Sequence, residues 1–111
     1  PAGEMKHGPI ALVESGFPVV AIVPQDHVHD KTLSNIMEAK SRGGYIIAVA
    51  TDGDEEVANL ADHVLCVPPM SEYIIPIVSI VHLQILALYV ARAKGLDVDK
   101  PRNLAKSVTV E

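Results

Sequence analysis

The chain has 111 residues, 49% of them hydrophobic and only 4% aromatic, with no tryptophan and a formal net charge of −5 at neutral pH. That is one domain or a piece of one, with enough Ile, Val, Leu and Ala for the kind of core that fills parallel α/β sheets. The acidic balance argues against nucleic acid and acidic membrane surfaces as partners, while a small phosphate can still be held by a local patch or a helix N-terminus.

The opening PAGEMKHGP carries neither an initiator methionine nor a charged-then-apolar leader pattern, so a processed chain or an excised segment in a reduced, cytoplasmic setting is expected. Within it Lys6 and His7 are adjacent, followed by Gly8 and by Pro9 at a plausible first helical position. A histidine at such a turn can face a cleft and act as acid or base near neutral pH. Lysine–histidine neighbours are common, however, and the pair alone is a weak signal.

PVVAIVP (18–24) is a fully apolar strand candidate. QDHVHD follows, with His27 and His29 alternating as in a metal site, but no third ligand stands nearby and a solvated loop is the better reading. Asp30 is placed to cap a helix over 31–42, with Leu33, Ile36, Met37 and Lys40 at helical spacing and Gly43–Gly44 as the stop. YIIAVAT (45–51) is the second strand, DGDEEVANLAD a short helix with an acidic start, and HVLCVP (63–68) the third strand. Cys66, the only cysteine, excludes a disulfide framework and reads as a buried core thiol. His63 before its strand and His82 within a helix read as structural histidines.

Three apolar strands separated by helices predict βαβ units in a doubly wound parallel sheet. So thin a sheet should want another strand on at least one edge, so part of the domain is expected upstream of Pro1. The run YIIPIVSIVHLQILALYVA (73–91) has nineteen residues without a formal charge, long enough for a membrane span. Pro76, Ser79, His82 and Gln84 inside it favour a helix buried at a domain or subunit interface, with Ser71 as a cap and Gly95 as its end.

The chain finishes KPRNLAKSVTVE. A lysine serves as a covalent catalyst only when neutral, so it gains from apolar neighbours, and Lys106 has Leu104, Ala105 and Val108 close in sequence. Lys100 and Arg102 bias the field toward an anionic substrate; Ser107 and Thr109 are ligand donors or simple tail polarity. On these arguments alone a solvated surface lysine remains the favoured reading.

GEMKHGPIAL at the start, ARAKGLDVDKPRN after the long apolar run and LAKSVTVE at the end resemble the glutamine–fructose-6-phosphate aminotransferase family. The isomerase half of those enzymes is built from two sugar-isomerase (SIS) domains. The resemblance runs end to end and implies a three-layer, flavodoxin-like α/β fold. Residues 1–95 would be part of the second SIS domain and 96–111 a catalytic tail that folds over the substrate. It implies that the parent enzyme converts fructose 6-phosphate and glutamine-derived ammonia to glucosamine 6-phosphate, as a homodimer with a glutaminase domain and without cofactor or metal. By the same resemblance Lys106 forms a Schiff base with the open-chain sugar. His7 opens the sugar ring in the neighbouring subunit's site, and the Ala105 backbone lies against the sugar. The family's phosphate-binding Ser/Thr loop and its base glutamate have no counterpart in these residues, and Glu4 and Glu14 do not match the latter's motif. The segment alone is therefore expected to be inactive. Two further readings stay open: another SIS isomerase or deglycase, and a SIS sugar-phosphate sensing module, which would want a basic helix-turn-helix and no amine-bearing tail.

Overall fold

The structure is a computed structural model and describes residues 1–100. It divides into two compact units, the first Pro1–Ser79 and the second beginning at Ile80. The first begins with two short 3₁₀ helices, Ala2–His7 and Pro9–Leu12, the second starting on the expected proline. Then follow β1 (Pro18–Val23), α1 (His29–Ser41), β2 (Tyr45–Thr51), α2 (Glu55–Leu60) and β3 (His63–Val67). The strands form one parallel sheet in the order β1-β2-β3, so the α/β character and the parallel sheet both hold.

Parity along the strands explains the core. Ile46, Ala48 and Ala50 of β2 share one face, and all three are fully buried with Val23, with Leu33, Ile36 and Ala39 of α1, and with Val57 of α2. Each buried Val, Leu or Ile contributes about 1.5–3 kcal/mol relative to exposure. Met37, expected on the inner face of α1, is 53% exposed; Ala39, three residues after Ile36, takes that place instead.

Turn chemistry fixes the connections. Gly43 has φ 87°, its N–H donates to the Lys40 carbonyl, and the Gly44 N–H donates to that of Ala39. This pair of bonds closes α1 where the two glycines predict its end. A Cβ on Gly43 would also lie 2.9 Å from the Ser15 backbone, so both angle and space call for glycine. Lys40 Nζ lies 2.6 Å from Asp62 Oδ1, while the Ile46 N–H donates to Asp62 Oδ2 at 2.7 Å. One carboxylate thus ties the end of α1, the start of β2 and the lead into β3. The Lys40 ammonium and that N–H hold the Asp62 carboxyl below its ordinary pKa.

The start of α1 differs from expectation. The helix begins at His29 with Val28 as its cap residue, and Asp30 lies in its first turn. The reason is Asp26, whose carboxylate accepts the Val28 N–H at 2.9 Å and turns the chain early. Cys66 is exposed, not buried. Among the described residues β3 pairs with β2 alone, and of its five residues Val67 takes the buried position while Cys66 beside it lies on the exposed side.

The sheet is also open at its other edge. Val20 and Ile22 of β1 are 43% and 44% exposed, although their register partners are Ile47 and the fully buried Val49. A groove of about 490 Å³, lined by Met5, Val19, Ala21, Thr32, Asn35 and Ile36 among others, runs beside this edge. Parallel sheets are normally covered on both faces, so this arrangement fits a partial domain.

α3 (Ile75–Ala93) spans nineteen residues, of which Ile75 and Ser79 are buried among the described residues. By length and composition it could cross a membrane. In the second unit it ends as expected at Gly95 (φ 67°), whose N–H donates to Arg92 while the Leu96 N–H reaches back to Ala91.

Candidate functional site

His7 is the last residue of the Ala2–His7 helix and is exposed. Gly8 turns the chain directly after it with φ 156° and ψ −58°, and a Cβ there would meet open space, so the backbone angles alone favour glycine. This short helix has no fully buried residue of its own, and a single 3₁₀ segment is marginal without tertiary support. Three anchors supply that support. Met5 packs against the core cluster, Ile10 is buried just beyond Gly8, and Lys6 Nζ lies 2.7 Å from Glu38 Oε1 of α1. The imidazole is thus carried on an anchored turn and presented outward. Lys106 and Ala105, with Arg102, Ser107 and Thr109, lie outside the described residues, so the structure places His7 alone among the expected site residues.

A second cluster stands at the carboxyl ends of the strands, where α/β sheets tend to build their sites. His29 Nε2 lies 2.7 Å from Asp54 Oδ2, and Nδ1 lies 3.3 Å from Asp30 Oδ1. The side chains of His29 and Asp54 are 12% and 3% exposed, so His29 is not the solvated loop residue its sequence context predicts. Asp54 also caps α2, its Oδ1 accepting the Val57 N–H at 3.1 Å. Close by, the Gln25 N–H donates to Thr51 Oγ1 at 3.0 Å. His27 does sit in solvent, 3.3 Å from Glu72 Oε2. The two histidines do not converge, and no group of three metal-ligating side chains occurs among the described residues.

The His29–Asp54 pair clasps the first turn of α1 to the cap of α2, a structural role that makes stability pH-dependent. Burial lowers the His29 pKa, but hydrogen bonds to Asp54 and Asp30, with their charges, outweigh it and the net shift is upward. A raised pKa means the folded state binds the proton more tightly than the unfolded chain. The contribution is therefore complete below the unfolded value of about 6.5 and is lost as pH rises through the higher folded value. Urea unfolding of wild type and His29→Gln should show the larger gap at about pH 6 and a smaller one at about pH 9. A gap that does not change with pH would contradict the clasp.

The SIS domain family matches residues 1–93 of the chain. This chain belongs to that family. The SIS segment is 57% identical over 111 residues to a glutamine–fructose-6-phosphate aminotransferase (isomerizing) from Thermus thermophilus, covering 100% of its own length and 18% of that protein. It is 53% identical to the Mycobacterium tuberculosis enzyme of the same name, and 56% identical to that of Methanosarcina mazei. Among solved structures it resembles the C-terminal domain of glucosamine-fructose-6-phosphate aminotransferase from Francisella tularensis. The TM-score is 0.83 and the identity 42%, over 90% of this chain and 28% of that one. The SIS segment thus spans under a fifth of the length of these curated relatives.

Proposed function

We propose that this SIS segment is the C-terminal part of the isomerase half of a glucosamine-6-phosphate-forming aminotransferase, and that it carries two of the reacting groups, His7 and Lys106. The observation that carries the proposal is the end-to-end identity of 57%, which includes the tail beyond the SIS match at residues 1–93. The exposed, outward-facing His7 suits a ring-opening acid or base that acts outside its own unit, in the site of the other subunit of a cytoplasmic homodimer. α3 lies within the family match, which supports a domain helix over a membrane span.

The chemistry balances without cofactor or external oxidant. Fructose 6-phosphate and ammonia give glucosamine 6-phosphate and water. Proton transfer at the ring oxygen opens the hemiketal and exposes the C2 carbonyl. The neutral Lys106 amine adds to C2 and water leaves, forming an imine. Ammonia from the glutaminase domain then displaces the lysine. A proton moves from C1 to C2, so C1 becomes the aldehyde and C2 the amine-bearing carbon. The base for that last shift and the loop for the phosphate belong to other parts of the parent enzyme, so this segment alone does not turn over.

An assay with fructose 6-phosphate and free ammonium tests the proposal. The full-length enzyme, with its glutaminase nucleophile blocked, should still form glucosamine 6-phosphate, and the 111-residue chain should form none. Substantial product from the chain alone would overturn the division of labour, and none from the full-length enzyme would overturn the assignment.

A further inference from the structure

Glu38 is separated from His7 by 31 positions in sequence, and its own side chain is 40% exposed on α1. Its neighbour Ala39 is fully buried and Ile36, two residues before it, is 3% exposed, so Glu38 stands on a firmly seated part of that helix. From there its carboxylate meets the Lys6 ammonium at 2.7 Å. Lys6 directly precedes His7, and beyond His7 the chain turns at Gly8, where a Cβ would meet open space. Met5 and the buried Ile10 anchor the chain on either side, and the Lys6 pair is the tether nearest to His7 itself.

We infer that Glu38 is a positioning residue for His7, acting through the Lys6 ion pair to hold the last turn of the Ala2–His7 helix against α1. The inference rests on the proposed role of His7 in ring opening. A half-exposed ion pair contributes little to stability, so removing it should leave the fold intact. Geometry at a reacting group is more sensitive, since small misplacements of a catalytic group cost rate out of proportion to stability.

The test uses the full-length enzyme and two sugars. One is fructose 6-phosphate; the other is 5-deoxyfructose 6-phosphate, which lacks the hydroxyl that closes the furanose ring and so needs no opening. Glu38→Gln should lower kcat on fructose 6-phosphate by roughly threefold to tenfold with little change in KM, and leave turnover of the open-chain sugar unchanged. Lys6→Met, which leaves α1 untouched, should do the same if Glu38→Gln folds poorly. The exchanged pair Lys6→Glu with Glu38→Lys should recover most of the loss. In a His7→Ala background Glu38→Gln should have no further effect, because the interaction would be with a group already gone.

Equal losses on both sugars, no loss on fructose 6-phosphate, or an undiminished loss in the His7→Ala background would each overturn the positioning role. So would a raised KM for both sugars in Lys6→Met but not Glu38→Gln, which would make Lys6 a direct substrate contact. If His7→Ala itself does not discriminate between the two sugars, the ring-opening reading fails, and the positioning role with it. A discriminating His7→Ala beside a silent Glu38→Gln overturns only the latter.

Discussion

Replacing Lys106 with alanine in the full-length enzyme is expected to lower kcat for glucosamine 6-phosphate formation by about 10³-fold or more, and to leave a protein that folds and binds fructose 6-phosphate within a few-fold of wild type. The size follows from the proposed chemistry. With the lysine as a covalent participant, its loss removes a route rather than weakening a contact. Arginine in its place should not rescue, since a guanidinium stays protonated and cannot form the imine. Steady-state kinetics with saturating ammonium, alongside a thermal melt of each variant, separates this from misfolding. Retention of a tenth of the wild-type rate in Lys106→Ala would be incompatible with covalent catalysis at this position.

His7→Ala is expected to cut turnover of fructose 6-phosphate by about 10²-fold, the lower end of what one positioned acid or base supplies. Turnover of 5-deoxyfructose 6-phosphate should stay near wild type, since that sugar enters already open. Because His7 is exposed and its turn is anchored through Met5, Lys6 and Ile10, alanine removes the imidazole without emptying a core site. If the group acts across the subunit boundary, mixing inactive His7→Ala and Lys106→Ala homodimers under exchanging conditions should restore activity. One site in each heterodimer then holds both an intact lysine and an intact histidine. Absence of recovery in a mixture shown to contain heterodimers would place His7 in its own subunit's site.

The elements of the fold were legible where local signals agreed. β2 runs Tyr45–Thr51 as its seven-residue apolar stretch implies, because Gly43–Gly44 before it and Asp52–Gly53 after it leave no room for extension. Gly95 likewise ends α3 because its left-handed turn returns two N–H bonds to the helix. Misreadings arose where cover or a distant partner decides the outcome. Cys66 looks buried by composition, but the alternation along β3 puts its neighbour Val67 in the buried position and leaves Cys66 on the exposed side. Asp30 looked like a cap until Asp26 turned the chain first. His29 looks solvated from its sequence context because its partner, Asp54, is 25 positions away and nothing between them in sequence announces the pairing. The same holds for Lys6 and Glu38, which only the packing of the first turn on α1 brings together.

The candidate site was legible in a different way. His7 and Lys106 carry no periodicity or spacing signal that separates a catalyst from a surface residue; both were singled out by resemblance of the KHGP and LAKSVTVE stretches to a family. The structure adds an outward-facing, anchored turn at His7.

Borohydride trapping tests whether Lys106 forms the imine. Full-length enzyme incubated with fructose 6-phosphate and borohydride should have its imine reduced to a stable secondary amine. Peptide mass spectrometry should then place one reduced hexose phosphate on Lys106, and Lys106→Ala should remain unlabelled. A sugar adduct on a different lysine, or labelling that survives Lys106→Ala, would contradict the account.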